Sequence, residues 1–147
     1  MPQQSSNWIV LVLLSSLLFG SRMHGCVPGP GPETPPKPSQ VCLLIVEEAS
    51  TRTVQQAAIY GSRELREWCA SRGHLLRIVD QDATGPGGEP ASVLQPYRVW
   101  RSGAANQSVT LPVALLVLAD GSVYLGGPLP GSAGGVVEWV RANTAAE

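Results

Sequence analysis

Three cysteines are the residues best suited to covalent chemistry in this chain of 147 residues. Cys26, Cys42 and Cys69 are too few for a disulfide-built scaffold, and their spacing is not that of a zinc site. Cys42 begins a predicted strand and Cys69 ends a predicted helix, so the two reach the same level of the fold. A helix packed on a sheet holds such Cα atoms about 8 Å apart, slightly beyond disulfide range. Two buried free thiols are therefore favoured, and a Cys42–Cys69 disulfide is the alternative.

Acidic and basic residues flank the first predicted turn. Glu47 and Glu48 end the first strand, at the edge where α/β sheets usually bind ligands. Solvated carboxylates are favoured there, and a buried functional acid is the alternative. Arg52 precedes a helix, where an arginine is able to hold an anion together with the free N–H groups of the helix. The favoured alternative is an exposed Arg52 with no specific role. His74 follows a helix end and is expected to cap it or to be exposed.

No metal or cofactor is predicted, because no acidic segment has the spacing of an EF-hand loop. Ten Lys and Arg stand against eleven Asp and Glu, giving a net charge of −1 without a basic cluster. A nucleic-acid-binding surface needs clustered cations to neutralise phosphates, so no nucleic-acid partner is predicted. The length supports one domain.

The N-terminal segment has the features of an export signal. Residues 8–19 are apolar or small and span about 18 Å as a helix, less than the ~30 Å hydrocarbon core, so a signal-peptide core is predicted. Met23-His24-Gly25-Cys26 resembles the lipobox of bacterial lipoproteins, which makes Cys26 the candidate lipidation site. Simple secretion, an uncleaved anchor and a cytosolic protein with an unusual N-terminus are the alternatives.

The predicted organisation has three parts. Residues 1–26 are a signal peptide or membrane anchor, and residues 27–40 are a Pro-rich linker, with six prolines between positions 27 and 39. Residues 41–147 form the folded domain. The protein is expected to be extracytoplasmic, either anchored to a membrane or secreted.

The folded domain is predicted to be α/β in the order β-α-β-α-β-β-α, with a central mixed sheet and helices on both faces. Strands are expected at 41–46, 75–79, 113–118 and 123–125, and helices at 54–72, at 93–101 and after Ser132. Thr53 and Gln56 predict a capping box, and Gly73 a left-handed residue after the first helix. The buried stripe of that helix is expected to contain Val54, Ala58, Gly61, Leu65, Trp68 and Cys69.

Residues 41–147 resemble the thioredoxin fold in the order, length and punctuation of their elements. In that family a cis-proline opens a strand, a turn of the Asp-Gly type follows, and a glycine precedes the final helix. Pro112 matches the cis-proline position, and Asp120-Gly121 matches the turn. The alternative is another small α/β sandwich in which Asp120-Gly121 is merely a hairpin turn.

The resemblance lacks the family's active-site motif. Thioredoxins carry C-x-x-C between the first strand and its helix, and in this chain Thr51 and Val54 fall nearest the two cysteine positions. A hydroxyl group cannot supply the thiolate that disulfide exchange requires. A redox-inactive member of the superfamily is therefore predicted.

The family's mode of substrate binding indicates a candidate groove. Family substrates lie against the loop before the cis-proline and pair with its backbone, which implies an extended peptide or a partner protein as the ligand. The candidate groove residues are Ser50, Thr51, Arg52, Leu111 and Pro112. One alternative is a thiol–disulfide enzyme that uses Cys42 or Cys69, and another is a structural component of the cell envelope.

Overall fold

Residues 35–145, which the computed structural model describes, contain a four-stranded mixed sheet. The strand order is β2-β1-β3-β4, with β2 parallel to β1, β3 antiparallel to β1, and β4 antiparallel to β3. This arrangement confirms the α/β class with a mixed sheet. The strands are β1 (Cys42–Glu47), β2 (Leu75–Asp80), β3 (Val113–Val117) and β4 (Val123–Pro128).

Within residues 35–145, four α-helices connect or follow these strands. They are α1 (Val54–Tyr60), α2 (Arg63–Ser71), α3 (Gln95–Ser102) and α4 (Ala133–Asn143). Short 3₁₀ turns cover Ala49–Thr51, Ser92–Leu94 and Ala104–Asn106. The element order therefore matches the prediction, except that the first predicted helix is divided.

The single helix predicted over 54–72 is wrong, because the chain breaks it into α1 and α2 at Gly61 and Ser62. The Ser62 hydroxyl accepts a hydrogen bond from the Leu65 N–H at 3.2 Å and so starts a second helix. Glycine is a poor helix former, which weakens the helix at the same point. The predicted capping box is confirmed, since Thr53 and Gln56 exchange side chain–backbone hydrogen bonds of 2.8 and 3.2 Å.

The break changes which residues face the core. Val54 is 89% exposed and Ala58 is exposed, although both were predicted to be buried. Ile59 and Tyr60 are buried instead, while Leu65 and Cys69 are buried as predicted. A helical repeat of 3.6 residues keeps its phase only along a continuous helix, so one stripe cannot describe both segments.

The sheet has a hydrophobic core on each face. Side chains of β1 alternate between the two faces, and all but Cys42 are buried, as its continuous apolar run predicted. One core contains residues of α1, α2 and α4 and includes Leu43, Ile45, Ile59, Leu65, Leu116 and Val136. The other lies under α3 and includes Leu44, Val46, Leu94, Tyr97 and Leu115.

The predicted left-handed residue at Gly73 and the predicted turn at Asp120-Gly121 are both confirmed. Gly73 follows α2 with φ of 68°, and Gly121 has φ of 85° in the turn between β3 and β4. The Asp120 carboxylate accepts hydrogen bonds from the backbone and hydroxyl of Ser122 at 2.9 and 2.6 Å. Both reversals therefore use the residues that their sequence indicated.

Predictions for residues 1–26 and the candidate lipidation site Cys26 lie outside the described residues, as does the linker up to residue 34. The described part of the linker contacts α4: the Pro38 carbonyl accepts from the Ala145 N–H at 2.9 Å, and Lys37 Nζ donates to the Ala142 carbonyl at 2.6 Å. Between residues 35 and 145, no helix is long and apolar enough to span a bilayer.

Candidate functional site

The segment that opens β3 forms one wall of a groove. The Leu111-Pro112 peptide bond is cis, as expected at this position. The Pro112 carbonyl accepts a hydrogen bond from the Leu129 N–H at 3.1 Å, which ties this segment to the end of β4. Among the described residues, the N–H and C=O of Leu111 make no hydrogen bond. This backbone therefore keeps hydrogen-bonding groups that the described residues do not use.

Helix α1 forms the opposite wall. A cavity of about 240 Å³ separates its first turns from Pro112 and from the loop before α4. Its apolar floor includes Ile59, which is 3% exposed, together with Leu129 and Pro130. Its polar rim consists of Thr53, Gln55 and Gln56.

One end of this groove is closed by a hydrogen bond. Gln55 Nε2 donates to the Gly131 carbonyl at 2.6 Å, which joins α1 to the loop before α4. Gln56 keeps its side chain in the capping box with Thr53, so that side chain is held at the rim. The groove therefore has fixed polar groups above an apolar floor, an arrangement typical of ligand sites.

Only part of the predicted groove lines this cavity. Pro112 lies on it, whereas Ser50, Thr51, Arg52 and Leu111 are not among its lining residues. Ser50 and Thr51 belong to the 3₁₀ turn that precedes α1. The residues of α1 that the sequence analysis missed are Gln55, Gln56 and Ile59, which lie off the buried stripe predicted for one continuous helix from Val54.

Arg52 belongs to a second set of residues, which we call the strand-end cluster: Glu47, Glu48, Ser50, Arg52 and Asp80. Glu47 is only 4% exposed, which corrects the expectation of a solvated carboxylate. Arg52 Nε donates to Glu47 Oε2 at 2.9 Å, and Nη2 donates to Oε1. Arg52 is exposed as expected, but the expectation that it has no specific role is wrong, because its guanidinium holds Glu47 in a bidentate pair.

Tyr60 packs beside this ion pair. The Arg52 guanidinium lies 5.5 Å from the centre of the Tyr60 ring. Burial raises the pKa of the Tyr60 hydroxyl to about 12, and the hydrogen bonds from Arg52 to Glu47 raise the pKa of the guanidinium. The tyrosine is therefore neutral and the arginine charged across the physiological pH range.

The other two acids of the cluster are held by polar donors. Glu48 accepts from the Ser50 hydroxyl at 2.7 Å and also from Gln81, and these bonds lower its pKa. Asp80 accepts from the backbone N–H of Asp82 at 2.8 Å and of Ala49 at 2.7 Å, and these bonds lower its pKa. Hydrogen bonds favour the charged form of a carboxylate, so both acids are ionised at neutral pH.

Neither described cysteine lies at the groove. Cys42 and Cys69 are both free, as favoured from the sequence, although only Cys69 is buried and Cys42 is half-buried. Cys42 pairs with Val117 at the far end of β1, about 13 Å along the strand from the end beside Pro112. Burial raises the pKa of the Cys42 thiol and raises that of Cys69 to about 11. Thiols in these surroundings supply little thiolate at neutral pH.

Residues 35–145 contain no group of three or more His, Cys, Asp or Glu side chains arranged to hold a metal ion. The strand-end acids are instead engaged by donors from the protein itself. Comparison of the chain with protein families, curated proteins and solved structures finds no significant match.

Proposed function

We propose that residues 41–147 form a redox-inactive domain of the thioredoxin-like superfamily that binds an extended peptide or a segment of a partner protein. The binding site in this proposal is the groove between Pro112 and α1. The observation that carries it is the cavity of about 240 Å³ next to Pro112, with its apolar floor and polar rim.

The sheet supports the thioredoxin-like assignment. Strand β1 lies between a parallel neighbour and an antiparallel one, and the β3–β4 hairpin completes the sheet. Helices cover both faces, with α3 alone on one of them. The candidate peptide site lies where this topology brings the start of β3 against the helix that follows β1.

The thiols support the absence of redox activity. Residues 49–54 contain no cysteine, and burial raises the pKa of both Cys42 and Cys69. With a pKa of about 11, only about one in ten thousand Cys69 side chains is a thiolate at pH 7. Disulfide exchange needs a thiolate with access to its substrate, which Cys69, at 1% exposure, does not have.

A disulfide-reductase assay tests this part of the proposal. The wild-type chain and a Cys42→Ser, Cys69→Ser double variant should both show background rates. Activity in the wild type that is lost in the double variant would contradict the proposal and favour a thiol enzyme instead.

The groove supports an extended ligand. The backbone N–H and C=O of Leu111 have no internal partner among the described residues, and each is able to pair with a peptide laid beside it. Ile59, Leu129 and Pro130 form an apolar floor for one side chain of that peptide. Gln55 and Gln56 offer polar groups along the rim, so the ligand expected is an extended segment with an apolar residue at its centre.

Selection from a displayed peptide library on the full chain tests the binding proposal. Gly131→Phe should fill the groove, because Gly131 lines it and a Cβ added at Gly131 would lie 3.4 Å from Gln55 Nε2. Gly134→Phe is the matched control, because a Cβ there meets nothing within 4 Å. The selected peptide should bind Gly131→Phe at least about tenfold more weakly and bind Gly134→Phe almost unchanged.

Two outcomes would overturn the binding proposal. The first is a library that shows no enrichment on the wild-type chain. The second is an enriched peptide whose affinity falls equally in both glycine variants, because its site would then lie outside the groove.

The proposed location follows from the N-terminal sequence. We propose an extracytoplasmic domain tethered to a membrane through Cys26 and the Pro-rich linker, with secretion as the alternative. Intact mass and N-terminal sequencing of protein from membrane and soluble fractions test this. A lipid-modified Cys26 at the mature N-terminus is expected in the membrane fraction, and an uncleaved, unmodified chain in the soluble fraction would contradict it.

A further inference from the structure

An apolar cavity lies where β1 begins, at the end of that strand opposite the proposed peptide groove. Its volume is about 320 Å³, at the lower end of the range of about 300–1,000 Å³ typical of small-molecule sites. We call it the strand-start cavity. The side chains that form most of its surface are those of Val41, Cys42, Leu75, Arg77, Val117 and Leu118.

The floor of the strand-start cavity is a row of side chains across three strands. Cys42 is paired with Leu75 of β2 and with Val117 of β3, so the three side chains project from the same face of the sheet. Helix α3 packs further along this face, over a core that includes Leu44 and Leu115. None of the described residues that line the cavity belongs to α3. This part of the face is therefore uncovered, and the large apolar side chain of Leu75 is 60% exposed.

The turn between α2 and β2 closes one end of the cavity. Gly73 and Gln40 both line it, and a Cβ added at Gly73 would lie 2.7 Å from Gln40 Nε2. The Gln40 side chain is therefore packed directly on the glycine. The next residue, His74, is buried beside the Trp68 ring with 5.5 Å between ring centroids, which corrects the expectation that it lies exposed. The end wall of the cavity is a packed turn.

Arg77 is the one charged side chain among the described residues that line the cavity. It is exposed, and it forms no salt bridge with any residue that the structure describes. Burial raises the pKa of the Cys42 thiol, and the nearby positive charge of Arg77 opposes that rise. Arg77 therefore brings an unpaired cation to the rim of an apolar cavity.

We propose that the strand-start cavity binds a fatty acid, with its chain on the apolar floor and its carboxylate on Arg77. The planar fork of one guanidinium donates two parallel hydrogen bonds to a carboxylate, so a single arginine is sufficient for this head group. Each methylene group of the chain that leaves water should strengthen binding about fourfold. The cavity shares no described residue with the proposed peptide groove and does not depend on it.

The backbone of the floor favours an alkyl chain over a peptide. The Leu75 N–H donates to the Val41 carbonyl at 3.0 Å, and the Leu118 N–H donates to the Ser122 carbonyl at 2.9 Å. Strand β1 lies between two ladders, which engage its backbone groups on both sides. A peptide laid across this floor would bury its own N–H and C=O groups without partners, which is unfavourable, whereas an alkyl chain has no polar group to bury.

Protection of Cys42 from alkylation tests the proposal in the full chain. Peptide mass spectrometry after treatment with N-ethylmaleimide separates Cys42 from Cys26 and Cys69. Decanoate should slow the modification of Cys42 with a saturating dependence on concentration. Acetate, which lacks the chain, and decyltrimethylammonium, which carries the opposite charge, should each need at least about tenfold higher concentrations. Because Cys42 lies in the cavity, the measurement does not count decanoate bound to the apolar residues 8–19.

Two matched pairs of variants separate this site from non-specific binding. Arg77→Gln should raise the half-protecting concentration of decanoate about tenfold, whereas Arg63→Gln, which removes the same charge from an exposed position on α2, should change it less than about twofold. Leu75→Ser should also raise it about tenfold, whereas Val99→Ser on α3 should change it less than about twofold. Leu75 and Val99 are 60% and 62% exposed, so both serine variants are expected to fold.

Four outcomes would overturn the proposal. Decanoate would give no saturating protection of Cys42, or decyltrimethylammonium would protect it equally well. The two variants of a matched pair would have equal effects. Sedimentation would show a ligand-free dimer that Leu75→Ser dissociates, because a second copy of the chain would then cover the cavity.

Discussion

The strand-end cluster and the basic cavity, which is lined by Ser39, Trp68, Arg72, His74, Arg141, Thr144 and Ala145, lie at opposite ends of β1. In the cluster, three acids each have donors from the protein: Arg52 for Glu47, Ser50 for Glu48, and two backbone N–H groups for Asp80. In the basic cavity, two arginines and a histidine line a space of about 110 Å³. One end pairs acids with donors around a turn, and the other brings basic side chains of α4 and of the segment after α2 to one cavity.

This contrast separates stability from binding. A buried carboxylate is costly unless it is paired, so Arg52 offsets the cost of burying Glu47 beside the turn into α1. Charge alone therefore does not identify a binding site, because the charged groups of the strand-end cluster are engaged within the protein.

Arg52→Ala should have the largest effect on stability. It leaves the Glu47 carboxylate buried without its partner, and we expect the midpoint of thermal unfolding to fall by about 10 °C. Because the Arg52 side chain is 41% exposed, the expected decrease in the unfolding midpoint is smaller than it would be for a fully buried pair. Thermal unfolding followed by circular dichroism measures it.

The Arg63–Glu67 pair provides the control for Arg52. Both side chains of this pair are exposed, at 88% and 61%, although their N–O distance is 2.6 Å. Arg63→Ala should therefore lower the unfolding midpoint by less than about 3 °C. Equal effects of the two variants would show that Glu47 is hydrated and that the cluster does not stabilise the fold as described.

Acidification should weaken the strand-end cluster next. The folded-state pKa values of Glu48 and Asp80 are lowered, so their contribution is complete above the unfolded pKa of about 4 and is lost as pH falls through the folded values. At pH values below about 4, we expect the midpoint temperature of thermal unfolding to decrease as the pH is lowered. This decrease should be less steep in a Glu48→Gln, Asp80→Asn double variant. An unchanged slope in that variant would assign the acid sensitivity to other carboxylates, such as Asp120, whose pKa Ser122 lowers.

The sequence predicted the sheet better than it predicted these two regions. The apolar runs of β1 and β3 are buried on both faces, and this requirement is visible in a single segment. The break at Gly61 was missed because Ser62 fits a helical pattern until its hydroxyl is seen to cap a new helix. A serine hydroxyl that caps a new helix competes with continuation of the old helix at a single residue. A hydrophobic pattern is read over many residues and does not detect this competition.

The two charged regions depend on contacts that the local sequence does not encode. The local sequence around a glutamate at a strand end does not show whether its side chain is solvated or, like that of Glu47, buried against an arginine such as Arg52. The basic cavity needs Arg141 from α4 beside Arg72 and His74, which follow α2. Pro112 was predicted because its signal is local, whereas the wall formed by Gln55 and Gln56 depends on how α1 packs beside the start of β3.

Arg141→Gln should have a smaller effect on stability than Arg52→Ala. Arg141 is exposed and contacts the Trp68 ring at 5.8 Å, an interaction of modest strength at the surface. We expect the unfolding midpoint to fall by about 3 °C at most. If the loss matched that of Arg52→Ala, the basic cavity would be a stabilising element like the strand-end cluster, and the contrast between the two regions would fail.

Ser50→Ala should have the smallest effect on stability and a specific effect on one acid. Ser50 is exposed, so removing its hydroxyl should change the unfolding midpoint by no more than about 2 °C. Its hydrogen bond at 2.7 Å is the main cause of the lowered Glu48 pKa, so that pKa should rise toward its ordinary value in an NMR titration. Ser122→Ala removes the equivalent 2.6 Å bond to Asp120 and should raise the pKa of Asp120 while leaving Glu48 unchanged. If the Glu48 pKa stays low in Ser50→Ala, the hydrogen bond from Gln81 and not the one from Ser50 is the main cause of the lowered pKa. The charged state of Glu48 would then depend on the residue that follows β2 rather than on the turn before α1.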